Sequence, residues 1–376
     1  MKKVNRLIMG LICMAIVAGF SACATLRSIF IAPIYGATLW VNGEAQILSD
    51  SSSQANSVFA YGDDVYVAGR IWDSSTESSR AALWVNGELQ TLSSDPSLAR
   101  SVFVYNNIVY VVGSQNQSAT LWINGVAQTL NIPQTHFYSE AVAVYVSATD
   151  IYVVGIIYQW RDPDFEWTAI DFSDESRIQG SRAILWVNGT AQISDRESMA
   201  HDMHVSGNDI YVTGSIFEGT GANRNRRAAL WVNGVPQALR GRAAHGDSVF
   251  VSGSDVFVMG VTETRQVEGA RQWRETGRPT LWKNGEPEIL RQRPSEGGTL
   301  FVAHGRSVAR SVFVSGNDVY VSGAVEHFVG MQQQGTRRAT LWVNGEPQTL
   351  YQRESNARAV FVSGNNVFVA GLVRIN

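Results

Sequence analysis

The sequence predicts an all-β fold, a seven-bladed β-propeller with four antiparallel strands in each blade. Three observations lead to this prediction: two short strings each recur seven times, each string has a turn signal at its centre, and the mean repeat is about 50 residues long. Four short strands at this period are typical of propellers. A sandwich array or a β-helix would not explain two regular hairpins in every repeat.

The first string, Leu-Trp-x-Asn followed by Gly, predicts an outer hairpin in each blade. In one copy, Asn-Gly separates the β-rich run Thr340–Val343 from a second short run, Gln348–Leu350. Asn-Gly between such runs is a strong hairpin signal, because a type I′ turn needs positive φ at both central residues. The copies begin at Leu39, Leu83, Leu121, Leu185, Leu230, Leu281 and Leu341.

The second string is clearest at Ser311–Gly323 and predicts an inner hairpin that turns at Gly316-Asn317-Asp318. Polar and apolar residues alternate poorly, which indicates sheets buried on both faces and packed by the repeated Trp. The copies begin near Ser57, Ser101, Ala143, Asp202, Ser248, Ser311 and Ala359.

The two ends of the chain are expected to share one blade. The chain begins with an outer pair of strands, Leu39–Leu48, and ends with an inner pair, Val360–Gly371. Neither pair is a complete blade, so a closing blade built from both hairpins satisfies the free strand edges. The propeller then covers residues 37–376, and residues 23–36 form a tether.

The strings Val-Phe-Val-Ser-Gly-Asn-Asp-Val-Tyr-Val-Ser-Gly and Ala-Thr-Leu-Trp-Val-Asn-Gly resemble the repeats of bacterial lipoprotein-type seven-bladed propellers. The resemblance covers about residues 37–373. It implies the fold and places the Ser-Val-Phe-Val strand innermost. It implies no particular activity, because one fold carries many functions.

The first 22 residues have the pattern of a secretion signal. Lys2, Lys3 and Arg6 precede the apolar run 7–20, and small residues lead to Cys23. Because a Cys follows the small residues, the segment resembles a bacterial lipoprotein signal, which implies lipidation at Cys23. The expected location is the bacterial cell envelope, at the outer membrane or cell surface, with the membrane as a partner through the lipid. An ordinary cleaved signal with an incidental Cys is the alternative.

Composition excludes several classes of function. A formal net charge of −3 and a pI near 6.1 argue against a nucleic-acid binder, whose surface would be basic. Removal of the signal leaves Cys23 as the single Cys, so no intrachain disulfide is possible. We expect a monomer without a cofactor.

Antiparallel strands place the tight turns on one face, the bottom, and the variable connections on the other, the top. Essentially all of the 26 Arg in the mature chain map to top connections or to strand ends beside them. Arg pairs with carboxylates in a bidentate manner and stacks on aromatic rings. The bottom turns hold no Arg but ten carboxylates: Glu44, Asp63, Asp64, Glu88, Asp150, Asp209, Asp255, Glu286, Asp318 and Glu346.

One repeat position predicts a polar pocket at the top mouth of the central channel. This position lies three residues before the Phe of the inner strand, where we expect the inner strands to begin. Its polar occupants are the candidate ligand-binding residues, although they could instead solvate the rim or pair with acidic loops. The seven copies are Asn56, Arg100, Val142, His201, Asp247, Arg310 and Arg358.

Aromatic residues outside the repeats also concentrate in the top connections. Seven of the 11 Trp belong to the repeated string. The remaining four are candidate contacts for a ligand, because loops on a rigid scaffold are where recognition usually occurs. They are Trp72, Trp160, Trp167 and Trp273.

No nucleophile elbow, Walker loop or zinc-type Cys/His spacing is present, so the sequence designates no catalytic residue and no metal ligand. Three functions remain open. The first is a lipid-anchored binding module whose top face recognises an anionic glycan, peptide or protein. The alternatives are a polysaccharide hydrolase or lyase acting at the channel mouth, and an Arg-rich face that lies toward anionic lipid headgroups.

Overall fold

The computed structural model describes residues 33–133, 137–160, 178–219, 225–241, 244–264, 276–290, 308–327 and 335–376, which form twenty-eight β-strands and no helix. The predictions for the signal, for Cys23 and for residues 23–32 of the tether lie outside these ranges. The first strand begins at Tyr35, two residues before the expected start of the propeller.

The strands are numbered in chain order and are grouped by blade. The chain begins with β1 Tyr35–Val41 and β2 Glu44–Ile47 of blade 7. Blade 1 is β3 Ser53–Tyr61, β4 Asp64–Asp73, β5 Ser78–Val85 and β6 Glu88–Thr91. Blade 2 is β7 Ser97–Tyr105, β8 Ile108–Gln115, β9 Ser118–Ile123 and β10 Val126–Thr129. Blade 3 is β11 Tyr138–Val146, β12 Ile151–Trp160, β13 Ile178–Val187 and β14 Thr190–Ile193.

The remaining blades follow the same order from inner to outer strand. Blade 4 is β15 Ser198–Ser206, β16 Asp209–Glu218, β17 Asn225–Val232 and β18 Val235–Ala238. Blade 5 is β19 Ala244–Ser252, β20 Asp255–Thr264, β21 Thr276–Lys283 and β22 Glu286–Ile289. Blade 6 is β23 Val308–Ser315, β24 Asp318–His327, β25 Thr336–Val343 and β26 Glu346–Thr349. Blade 7 is completed by β27 Ser355–Ser363 and β28 Asn366–Arg374.

The predicted seven blades of four antiparallel strands are confirmed, and so is the closing blade. In blade 7 the strand order is β2-β1-β28-β27, and β1 pairs with β28 over seven residues from Tyr35↔Arg374 to Val41↔Phe368. The inner strands contact one another in sequence around the ring, from β3 to β7 and finally from β27 back to β3. The two ends of the chain therefore close the ring by hydrogen bonding within one sheet.

The Asn-Gly dipeptides form the predicted type I′ turns. In every copy the Asn has φ between 48° and 52° and the Gly between 80° and 88°. The Asn side chain also explains much of the acidic bottom face. In five blades its Nδ2 donates 2.7–2.8 Å to the Asp at, or directly before, the start of the second strand, as in the pair Asn86 and Asp64. These carboxylates hold the two hairpins of a blade together.

The charge separation between the faces has an exception that the sequence did not show. Arg240 follows the outer strand β18, and its Nη1 lies 2.7 Å from Oε1 of Glu286 in the next blade. The long side chain thus reaches a carboxylate of the bottom turns. Lys283 likewise lies 2.8 Å from Asp255.

The repeated Trp forms the core between blades. Six of the seven copies are fully buried, and the seventh, Trp231, is 6% exposed. The six fully buried rings pack beside side chains of two adjacent blades, as Trp84 does among Ala55, Val67 and Ala370. Burial of such large rings supplies much of the apolar stabilisation.

The inner strands carry a closed ring of aromatic side chains around the channel axis. Adjacent rings have centroids 4.6–6.5 Å apart, and the series returns from Phe361 to Phe59. The members are Phe59, Phe103, Tyr145, His204, Phe250, Phe313 and Phe361. The ring lies below the candidate polar residues, toward the bottom turns.

Candidate functional site

The seven candidate mouth positions share a backbone feature, but they are not where the inner strands begin. Each is the extra residue of a β-bulge, so that it has no partner in the register with the second strand. Most of these bulge residues are the fourth of nine residues in the strand, because the strands extend further toward the top than the repeats indicate. Bulges redirect side chains, which explains why this position varies so widely.

The repeated Gly of the second strand makes the bulge possible. In blade 2, Gly113 pairs with Ala99, and a Cβ at Gly113 would overlap the carbonyl oxygen of Leu98. The same overlap occurs at the equivalent Gly of each other blade. The sequence therefore requires Gly there for a close backbone approach.

Two bulge residues connect neighbouring blades by an equivalent hydrogen bond. Asn56 Nδ2 donates 2.8 Å to the carbonyl of Ala99, which precedes the bulge residue of the next blade. His201 Nδ1 lies 2.8 Å from the carbonyl of Gly246, in the same relative place. A carbonyl oxygen only accepts, so Nδ1 of His201 carries a proton.

Arg100 forms an ion pair with Glu140, whose side chain is 1% exposed. Burial raises the pKa of Glu140, and the Arg100 guanidinium opposes that rise. A buried ion pair holds its partners in place, because removal of one leaves an uncompensated charge. The pair therefore links blades 2 and 3. In blade 3 the bulge residue itself is Val142, whose side chain is apolar.

Asp247 is the centre of a charged cluster in blades 4 to 6. Its Oδ2 lies 3.2 Å from Nε2 of His245, and its Oδ1 lies 3.9 Å from both His201 Nδ1 and Arg310 Nη1. Burial raises its pKa, but His245, Arg310 and His201 together lower the pKa to about 2. Asp247 is therefore a stable anion at neutral pH.

The hydrogen bonds of His245 determine its tautomer. Arg226 Nη2 lies 2.9 Å from Nδ1 of His245, and since an arginine only donates, Nδ1 must accept. Nε2 then carries the proton, and it lies 3.2 Å from Asp247 Oδ2. In this arrangement neither ring nitrogen of His245 can take a proton from a substrate.

A second carboxylate in this region, Asp202, has a raised pKa, whereas the pKa of Asp247 is lowered. Burial raises the pKa of Asp202 to about 6, although hydrogen bonds from Ser248, Val249 and Met203 oppose the rise. Its Oδ2 accepts from Ser248 Oγ at 2.7 Å and from Val249 N at 3.0 Å. Carboxylates with divergent pKa values can form an acid–base pair. Here, however, the oxygens of Asp202 connect inner strands of adjacent blades.

A cavity of about 440 Å³ lies at the top between blade 7 and blade 1, and we call it the seam cavity. Two sequence-predicted residues, Arg358 and Trp72, line it together with Arg70, Arg337 and Tyr35. Its size falls in the range of small-molecule sites. The remaining lining residues are mostly polar: Ser52, Ser53, Gln54, Ser79, Glu354, Ser355, Asn356 and Leu372.

The lining of the seam cavity is electropositive, with three guanidinium groups against the single carboxylate of Glu354. That carboxylate is engaged by Tyr35, whose hydroxyl donates 2.8 Å to Oε1, and by Arg374 Nη1 at 3.5 Å. Burial, followed by the interaction with Glu354, raises the pKa of Tyr35 to about 12. Tyr35 is therefore a neutral donor at physiological pH.

Two hydrogen bonds to neutral groups orient Arg70 in the cavity wall. Its Nη2 donates 3.2 Å to Gln54 Oε1 and its Nη1 donates 3.4 Å to Ser79 Oγ. Gln54 in turn donates 2.5 Å to Asn56 Oδ1. The charge of Arg70 also acts on the buried carboxylate of Glu140, whose pKa it lowers. The candidate residue Asn56 therefore supports the cavity wall from behind Gln54.

The non-repeat Trp residues have different positions. Trp72 is 37% exposed and lies in the last two residues of β4, within the strand rather than in a connecting loop. Trp160 ends β12, again inside a strand. Trp167 and Trp273 lie outside the described residues.

The sequence analysis missed Arg70, Arg337 and Tyr35. A signal for Arg70 was present, because the residue after the close-approach Gly is Arg only in blade 1. In the other blades this position is Ser114, Ile156, Ser215, Val261, Ala324 and Leu372. Tyr35 gave no such signal, since it meets Arg358 in the cavity only when the two chain ends close the ring.

The ring closure, strand order and bulged inner strands define the chain as a seven-bladed β-propeller. No protein-family model and no curated protein matches it. Among the described residues, no group of three or more His, Cys, Asp or Glu could hold a metal ion.

Several solved structures are similar. The acylaminoacyl peptidase of Pyrococcus horikoshii has 12% identity and a TM-score of 0.47, over 85% of this chain and 49% of the peptidase. Drosophila Plexin A in complex with Semaphorin 1b has 10% identity and a TM-score of 0.45, over 92% of this chain and 88% of the matched chain. The β-propeller domain of the trilobed protease from Pyrococcus furiosus has 9% identity and a TM-score of 0.44, over 85% of this chain and 91% of that domain. The chain spans about half the length of the P. horikoshii peptidase, and similarity at this level assigns no ligand or activity.

Proposed function

We propose that this propeller is a binding module whose seam cavity recognises an anionic glycan, through the carboxylate of a sugar acid. The observation that carries the proposal is the cluster of Arg70, Arg337 and Arg358 around one cavity beside the exposed ring of Trp72. Guanidinium groups bind carboxylates by charge-assisted, bidentate hydrogen bonds.

The rest of the lining favours a sugar over an apolar ligand. Serine hydroxyls and the side-chain amides of Gln54 and Asn356 supply donors and acceptors that match sugar hydroxyls. Trp72 presents an apolar face on which the carbon side of a sugar ring can pack. An acidic peptide shares the carboxylate but lacks the ring of hydroxyls.

The test compares two adjacent arginines on β25. Arg337 lines the seam cavity, whereas Arg338 does not and donates 3.2 Å to Gln352 instead. We expect Arg337→Gln to weaken the binding of short oligogalacturonates about tenfold, the value of one charge-assisted hydrogen bond. Arg338→Gln is the matched control and leaves the affinity unchanged. Isothermal titration calorimetry measures both.

Two ligand controls separate charge from sugar shape. Methyl-esterified oligogalacturonate keeps the sugar and removes the carboxylate, so we expect it not to bind. A polyglutamate peptide that binds more tightly than the glycan would instead indicate an acidic protein partner. If neither ligand binds, the proposal is wrong. Release of reducing ends or of unsaturated products would favour the hydrolase or lyase alternative.

We further propose that the protein is lipidated at Cys23 and exported to the cell envelope. The charged start, the apolar run 7–20 and the small residues before Cys23 support this. Within the described ranges, no helix is long and apolar enough to cross a membrane. Metabolic labelling with an alkyne fatty acid should label the wild-type protein, whereas Cys23→Ser should remove the label.

A further inference from the structure

We infer that the seam cavity is one end of a longer binding track, which continues to Arg310 and holds a polymer of sugar acids rather than a single one. The inference rests on the proposed function, because it concerns the length of the ligand that the same cavity binds. Arg358 connects the two parts. It lines the cavity, and it is also the bulge residue of blade 7.

Arg310 occupies the equivalent bulge in blade 6, on the strand next to that of Arg358. The two strands β23 and β27 are joined one residue below Arg310, where Val360 N donates 3.3 Å to Ser311 Oγ. Further down the same strands, the rings of Phe313 and Phe361 have centroids 4.9 Å apart. Equivalent backbone positions on neighbouring strands therefore carry two successive positive charges. A polymer with one carboxylate per sugar has a matching series of negative charges.

The electrostatics of Arg310 leave it able to bind a further anion. Its side chain is 35% exposed, and its Nη1 lies 3.9 Å from Asp247 Oδ1, longer than a hydrogen bond. Asp247 is held more closely by His245, at 3.2 Å.

The track also has an end, because the charge changes sign beyond Arg310. The bulge residue of blade 5 is Asp247, a stable anion that repels a further carboxylate. The gain in affinity from a longer ligand should therefore be complete for short oligomers. Longer polymers then bind no more tightly per site.

The experiment measures dissociation constants for galacturonate oligomers of increasing length, from the monomer upward, with the full mature chain. We expect the wild type to bind the trimer about tenfold more tightly than the monomer, since a second charged contact is added within one ligand. We expect Arg310→Gln to remove this gain and to leave monomer affinity unchanged. Arg240→Gln, an exposed arginine of similar charge that pairs with Glu286 in the bottom region, should change neither value.

The outcomes distinguish the track from the cavity. A monomer that binds as tightly as the trimer, or a length dependence that Arg310→Gln leaves intact, overturns the track while the cavity proposal stands. If neither the monomer nor the trimer binds, the track and the cavity proposals are both wrong. If Arg310→Gln fails to fold, Arg310→Lys and Asp247→Asn replace it. Arg310→Lys keeps the positive charge but loses the bidentate guanidinium, so it should retain part of the gain in affinity. Asp247→Asn removes the competing anion, so it should increase the affinity for the trimer. Trimer affinity unchanged in both variants also overturns the track.

Discussion

The imidazole ring of His204 lies with its centroid 4.6 Å from the ring of Phe250, inside a circle otherwise made of Phe and Tyr. Six blades place a phenyl or phenol ring at this position, and blade 4 alone places an imidazole there. Burial lowers the pKa of His204 to about 4 from its usual 6.5. This aromatic surrounding therefore accommodates a neutral histidine but disfavours its protonation.

We expect His204→Phe to stabilise the protein, with a gain that increases as the solution becomes acidic. Because the folded pKa lies below the unfolded value, the unfolded chain binds more protons between pH 6.5 and 4, and the free energy of unfolding falls as pH falls through this window. The lost stability is about 2 kcal/mol at pH 5. Denaturant unfolding of both proteins at neutral and acidic pH measures it. A gain independent of pH would contradict the assignment.

Asp202 predicts a pH dependence of the opposite sign. Its folded pKa of about 6 lies above the usual 3.8, so the stability that protonated Asp202 contributes is present at acidic pH and is lost as pH rises through 6. Ser occupies the same position in blades 1, 2, 5 and 6, and in blades 1, 5 and 6 its Oγ accepts a backbone N–H from the inner strand of the next blade. We therefore expect Asp202→Ser to be more stable than the wild type at pH 7.5, by a margin that shrinks by about 1 kcal/mol at pH 5. Thermal unfolding across this range tests it, and a constant margin would contradict the raised pKa.

The fold could be predicted from the sequence because its determinants are local and repeated. Asn-Gly turns, the buried Trp and the two strings act within about ten residues, and seven copies reinforce each inference. The bulge was not predicted, since an extra residue in one strand is visible only when two strands are paired. In hindsight, the small residue before Arg100 and the Gly at position 113 mark it.

The candidate site was predicted only in part for a related reason. The position of Arg358 follows from the repeat, but its neighbours in the seam cavity come from the other end of the chain and from blades 1 and 6. Arg100 and Asp247 have the same repeat position, yet their described contacts are with Glu140 and His245. Whether they also bind a ligand stays a prediction.

The close-approach Gly predicts a severe loss of stability on substitution. In Gly113→Ala, the new Cβ would overlap the carbonyl oxygen of Leu98, so the bulged backbone must move. We expect a cost of about 3 kcal/mol or more, in the range of overpacked core sites. Ser114→Ala is the matched control: Ser114 is also buried, at the next position of the same strand, and its removal should be nearly neutral. Equal effects of the two substitutions in denaturant unfolding would contradict the steric argument.

Two tryptophans separate ligand binding from stability. Trp84 is fully buried between blades, so Trp84→Ala should cost about 3–5 kcal/mol of unfolding free energy. Trp72 is 37% exposed at the seam cavity, so Trp72→Ala should leave the unfolding midpoint nearly unchanged. We expect it to weaken oligogalacturonate binding about tenfold, because a sugar ring loses its apolar contact while the three guanidinium groups remain. Trp72→Phe, which keeps an aromatic face, should recover part of the affinity. Equal affinity of wild type and Trp72→Ala would show that Trp72 does not contact the ligand.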